Sequence, residues 1–300
     1  MTADGFPKSS KKRRGRAAPE DGTLVERGYI RVAREEAMRK LRDYQLPEEV
    51  SPLLFWIRCA VAAGATHIRI KQYAAWCEIR FDGRPFDRRD LSDPYGVLFG
   101  VRAPSGVMTK FLALGLLRAK RALPQQITVR SGTSPRRYIL HWRPPEEDVL
   151  ETSTDNETET AIQLAWKEPY SEFCRPLYLS AEGYMEHCIM SPASIALGDR
   201  LIFDPEEDGP PGTPIEAERL RGTVVAGEGP DGKAGYLDLC AYGVRVAQVR
   251  IPDLESPVRA WVNCDRFLMN ASHTGVVRNA RYTTAMSAVQ SLARRLSAES

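Results

Sequence analysis

The side chains in this 300-residue sequence best suited to ligating a metal are six cysteines and four histidines. Their spacing does not support a metal site. Cys59, Cys77, Cys174, Cys188, Cys240 and Cys264 form no CxxC pair, and His67, His141, His187 and His273 are scattered. His187 and Cys188 are chain neighbours and cannot easily chelate one ion. Buried thiols in a reducing compartment are expected, with no metal. A second chemistry is electrostatic. Residues 1–20 carry Lys8, Lys11, Lys12, Arg13, Arg14 and Arg16 against Asp4 and Glu20, a net charge of +4. Such a segment suits either a solubilising arm or a grip on nucleic acid or an anionic membrane.

The remaining 280 residues hold 36 basic and 37 acidic side chains, so the expected folded body is not a basic nucleic-acid-binding domain by composition. No apolar run approaches the roughly 18 to 20 residues of a membrane span. The opening charges are followed by no apolar stretch, so a secretory signal is not expected and a cytoplasmic setting is.

The elements that must position any site follow from periodicity. Ile30, Ala33, Ala37, Leu41 and Tyr44 recur at helical spacing up to Pro47. Ser51 caps a second helix running to Gly64 and apolar nearly all round, which predicts that it is sandwiched between other elements. Thr66 to Lys71 and Trp76 to Asp82 alternate as an antiparallel hairpin, and Asp82-Gly83 suits the turn after it. Asp87 to Gly106, rich in Pro and Gly, reads as a long mobile connection over a site. A helix from about Thr109 to Leu123 leads to strands at Gln126–Ser131, Arg137–Trp142 and Ala161–Trp166, with a solvent loop from Pro144 to Thr160. A shift in composition near Glu168-Pro169 marks a domain boundary. Residues 1–20 are then a disordered tail, 21–168 helices on one face of a mixed sheet, and 169–300 a second α+β domain of short strands closed by a helix from Ala280 to Leu296.

The segment FWIRCAVAAGATHIRI resembles the first box of the GHKL superfamily, which spans gyrase, the ninety-kilodalton heat-shock chaperone, histidine kinases and MutL. Ala60, Ala63, Ala65 and Thr66, followed by Ile68 and Ile70, match its framework. Phe81-Asp82-Gly83-Arg84-Pro85 stands where the family has D-x-G-x-G. LALGLLRAKRALPQQITVRSG is similar to the chaperone's lid turn, helix and strand, with Gly115 and Ser131 in place. Thr158-Glu159-Thr160-Ala161-Ile162-Gln163-Leu164 is similar to the G-T-x-I-x-L strand, and LMNASH to a loop of the chaperone middle domain. The resemblance implies an α+β fold: a GHKL (Bergerat-like) helix-on-sheet sandwich followed by a transducer-like domain. It also implies ATP or ADP as ligand, near Asp82, Gly83, Gly115 and Thr160. For Asp82 a plain turn remains the alternative, and for Gly115 a close helix contact.

The departures from the family bear on chemistry. The family's water-positioning Glu corresponds to Phe55, which cannot accept a proton. The Asn that holds magnesium corresponds to Cys59, a soft ligand for a hard cation, and a neighbouring Asp to Ala62. The Arg that reaches the γ-phosphate corresponds to His273, which lacks a permanent charged fork. Magnesium is therefore doubtful. The expectation is a protein that has lost hydrolysis and acts by binding a protein partner or sensing nucleotide. Two alternatives stay open: a working ATPase whose base and metal ligands come from elsewhere in the chain, for example Glu48, Glu49 or Glu78, and a nucleic-acid factor acting through residues 1–20.

Overall fold

The structure, a computed structural model, describes residues 34–45, 50–101, 104–144, 148–168, 177–215, 217, 219–227, 235–252, 254 and 257–299. The basic tail, Glu48, Glu49, Cys174 and the expected helix start at Ile30 lie outside the described residues. The first helix, α1 (Arg34–Lys40), runs into a π-helical turn at Leu41–Gln45.

Helix α2 (Pro52–Ala62) begins where the Ser51 hydroxyl oxygen accepts a bond from the Leu53 N–H, with Pro52 in the first turn, where its missing N–H costs nothing. Its residues from Pro52 to Ala60 are all buried, as an all-round apolar helix requires. One sheet carries β1 (His67–Gln72), β2 (Trp76–Phe81), β3 (Gln126–Ser131), β4 (Arg137–Trp142), β5 (Val149–Ser153), β6 (Thr160–Ala165), β7 (Ser194–Leu197) and β8 (Arg200–Phe203). Their order is β5-β4-β3-β6-β2-β1-β7-β8, with only the β1–β7 pair parallel. Period-two alternation puts Ile68, Ile70, Cys77, Ile79, Phe81, Ile127, Val129, Ile162 and Leu164 on one face. These residues share a core with α2 and α4 (Val107–Arg121).

A second sheet, ordered β12-β11-β13-β10-β9, contains β9 (Thr213–Pro214), β10 (Arg221–Ala226), β11 (Gly235–Ala241), β12 (Val244–Ile251) and β13 (Val258–Asn263). Helix α6 (Ala280–Glu299) packs Ala285, Val289, Leu292 and Ala293 into its core. The fold is mixed α+β, and no helix among the described residues is long and apolar enough to cross a membrane.

The change of sheet falls between Phe203 and Thr213, whereas composition marks a boundary at 168/169. Strand β7 is the reason, because its parallel pairing with β1 sets Ile195 beside Ile68 and extends the first apolar face. The expected solvent loop contains edge strand β5. The expected mobile connection contains α3 (Arg88–Ser92) and a 3₁₀ turn (Gly96–Phe99), with Leu91 and Tyr95 buried. Helix α5 (Ala181–Cys188), unforeseen in the periodicity, turns Tyr184 and Cys188 inward.

Candidate functional site

The helix that would carry phosphate chemistry in the GHKL pattern turns those positions into the core. Phe55 is 1% exposed and Cys59 is fully buried, while Ala62 is half-buried in the last turn of α2. Burial, aided by the nearby Asp90 charge, raises the Cys59 pKa well above that of a free thiol, so the sulfur stays protonated and is a poor ligand. Glu78 is no free base either, since Arg80 clasps both its oxygens at 2.6 and 3.2 Å.

At the end of the hairpin the Asp82 carboxylate accepts bonds from the Thr66 N–H at 2.8 Å, the Thr66 hydroxyl at 2.6 Å and the His67 N–H at 2.9 Å. Burial pushes its pKa up, but these donors outweigh burial and leave it lowered. The bonds hold the start of β1 against the end of β2. Gly83 (φ +93°) lies so close to the Ala63 carbonyl and Ala65 N–H, at 2.8 and 2.9 Å from a would-be Cβ, that only glycine fits. Thr160 sits opposite Phe81 in the sheet, with its hydroxyl 2.7 Å from that of Ser131. Gly115, on α4, is covered by the indole of Trp56, which occupies the space a Cβ would need. The structure therefore brings Asp82, Gly83 and Thr160 to one end of the sheet and sets Gly115 in the contact between α2 and α4. Cys59 and Phe55 do not fit a magnesium nucleotide, and the space at Gly115 is filled by protein.

His273, in the segment between β13 and α6, meets α2 and α4 of the first sheet's layer. It is 8% exposed, takes a left-handed φ of +57°, and stacks edge-on against Phe111 of α4 at 6.2 Å. Burial first, and then the Lys110 and Arg58 charges, pull its pKa down to about 3, so the ring is neutral at physiological pH.

Arg58 of α2 was not among the sequence candidates. It is 3% exposed, donates to the carbonyls of His273 at 3.1 Å and Arg245 at 3.2 Å, and lies 5.6 Å from the Phe55 ring centre. Burial lowers its pKa to about 10, which still leaves it charged at neutral pH. The signal was present, since Arg58 is the only charged residue between Val50 and His67. Asp90 was also missed. Fully buried, it accepts from the Asp87 N–H, the Ser105 N–H and hydroxyl, and the Thr109 hydroxyl, tying α3 to the start of α4.

Arg137, fully buried, was missed as well. It donates to the carbonyls of Gly132, Glu157 and Glu159 and pairs with Asp155 and Glu157, fixing the loop that enters β6 at Thr160. Among the described residues no group of three or more His, Cys, Asp or Glu could hold a metal ion. Neither protein-family models nor curated proteins match this chain significantly.

Proposed function

We propose that this protein is a two-unit, GHKL-like scaffold that does not turn over ATP and works in the cytoplasm by binding a partner protein. The observation that carries the reading is the burial of Phe55 and Cys59 at the positions where the superfamily has its base and metal ligand. A group sealed in an apolar core can neither orient a water nor meet a phosphate. The layering of α2 and α4 on one face of the large sheet, and Thr160 set opposite the last residue of β2, are in keeping with the helix-on-sheet arrangement that the resemblance implies. ATP or ADP has no required place in this reading, because Trp56 covers Gly115 and the Thr160 hydroxyl is engaged by Ser131.

The test is magnesium-dependent phosphate release together with calorimetric titration of ATP, with and without magnesium. The expected result is release at background and no magnesium-dependent binding. Sustained turnover that disappears on mutating a carboxylate would instead establish the working ATPase. Loss of salt-dependent nucleic-acid binding on deleting residues 1–20 would favour the nucleic-acid factor.

A further inference from the structure

A groove of about 470 Å³ opens at the end of the large sheet, beyond the last residues of β2 and β3. Its walls are Arg84 to Arg88 after the β2 turn, Pro104 and Ser105 before α4, and the β3–β4 turn with Gly132, Thr133, Arg136 and Tyr138. We infer that this groove binds a phosphate monoester, presented on a segment of a partner protein or free in solution. The inference rests on the groove alone and is independent of the superfamily likeness.

Charge is the first argument. Arg84, Arg88 and Arg136 line the groove, and among the described residues none makes an ion pair with a carboxylate. The one acid in the lining, Asp87, accepts from the Arg89 N–H at 2.9 Å as part of a reciprocal capping arrangement with Asp90. The lining therefore carries three positive charges and one negative, a net +2, against the roughly −1.5 to −2 of a phosphate monoester near neutral pH. Neighbouring Arg137 adds nothing to this excess, because Asp155 and Glu157 already neutralise it.

Shape is the second argument. The three walls are cross-tied by buried bonds, so the groove exists before a ligand arrives. The Phe86 N–H donates to the Ser131 hydroxyl at 2.9 Å, joining the first wall to the third, and Asp90 holds Ser105 of the second. The third wall is closed by the Arg136 N–H donating to the Thr133 carbonyl at 2.6 Å, and by Gly132 (φ +100°), where a Cβ would strike the Arg136 carbonyl. Fixed walls reduce the ordering cost of binding. Guanidinium forks match phosphate oxygens two at a time, and Thr133 and Tyr138, which also line the groove, carry hydroxyls. A phosphodiester carries one charge per phosphate and leaves part of the +2 unmatched, which favours the monoester.

The test uses the full chain with four probes: inorganic phosphate, a phosphoserine peptide, the same peptide unphosphorylated and a single-stranded oligonucleotide. Binding is followed by calorimetry and by fluorescence anisotropy. The phosphopeptide should bind about tenfold or more tightly than its unphosphorylated form. The Arg84→Gln, Arg88→Gln, Arg136→Gln triple variant should lose about tenfold or more, and the corresponding triple Lys variant should fall between, keeping charge without forks. Arg200→Gln, on β8, should change nothing. All three arginines are exposed, and circular dichroism checks that the variants fold. A phosphopeptide that outbinds inorganic phosphate identifies the source as a partner segment. Equal affinity shows that the phosphate group alone is recognised and identifies a small free phosphate compound as the source. The proposal is overturned if neither phosphate probe binds, if the triple Gln variant binds as the wild type does, or if a single-stranded oligonucleotide uses these arginines while the phosphopeptide does not.

Discussion

The Arg58 guanidinium donates to the backbone carbonyl of His273 at 3.1 Å, across 215 residues of sequence. A second bond, to the Arg245 carbonyl, fastens the same side chain to β12. A buried cation with no carboxylate partner among the described residues costs desolvation energy that two carbonyl bonds only partly return. Its Nε has no hydrogen-bond partner among the described residues, and neither does the His273 Nδ1. The two carbonyl bonds join α2 to β12 and to the His273 loop, beside aromatic contacts of Phe111 with Tyr242 and His273. A charged His273 would sit in this buried place next to Arg58 and Lys110.

That placement gives a pH prediction. The His273 pKa is lowered to about 3 in the folded protein and returns to about 6.5 on unfolding. Between these values the unfolded chain binds a proton that the folded one does not, so stability is full above about pH 6.5 and falls as pH drops toward 3. Burial disfavours the imidazolium most, and the charges of Lys110 on α4 and Arg58 on α2 add to it. His273→Asn, which tolerates the left-handed backbone and does not titrate there, should remove a slope worth on the order of a few kcal/mol across this window. Urea unfolding midpoints of wild type and variant, measured from pH 7 to pH 4, check it. Parallel curves would rule the linkage out.

Asp90 makes the second prediction. Its four bonds fasten the 87–109 segment, and the buried Ser105 and Thr109 donors would be stranded without it. Asp90→Ala should destabilise by about 2–4 kcal/mol and open this segment to protease before the rest of the chain. Limited proteolysis with fragment mass analysis reads the outcome. Cleavage starting elsewhere would show that the segment is held by its apolar contacts instead.

The sequence made the hairpin, the buried helix and most strands legible, because alternation in Ile68-Arg69-Ile70 and all-round apolarity in α2 are local patterns. The extent of the first sheet was not legible. Residues 194–203 join it through a parallel pairing with β1 that no local pattern encodes. The candidate site was partly legible. Asp82-Gly83 announced a turn, but that the Asp82 oxygens reach Thr66 and His67 depends on the β1–β2 register, which pairs Ile68 with Phe81. Arg84, Arg88 and Arg136 look like ordinary surface charges until a tertiary groove gathers them.

Gly115 tests the α2–α4 contact. The Trp56 indole, fully buried, lies where an alanine methyl would go and has no flexible end to swing aside. Gly115→Ala gains helix propensity of about 1 kcal/mol, yet should still destabilise the protein, because overpacking costs about 1–3 kcal/mol and the helices must part. Trp56→Phe with Gly115→Ala should recover part of the loss. Thermal melts of the two singles and the double measure the coupling, and simple additivity would mean that the two residues do not meet.

Phe55 carries the last prediction, which joins fold to function. In the GHKL pattern a glutamate here would activate water, so Phe55→Glu looks like a repair. The side chain is 1% exposed and belongs to the core shared with Leu112 and Ile79. A carboxylate placed there loses its hydration without gaining a donor, so it should stay protonated or unfold the domain, at a cost of about 3 kcal/mol or more. Arg58 lies over the Phe55 ring, but its two bonded carbonyls hold it in place, and releasing it to pair with the new carboxylate would break both. Adding Cys59→Asn should deepen the loss, because that position is fully buried as well. Both variants should melt below the wild type and release phosphate no faster than buffer. A stable double variant with magnesium-dependent turnover would mean that α2 can open toward a nucleotide, and would overturn the scaffold reading.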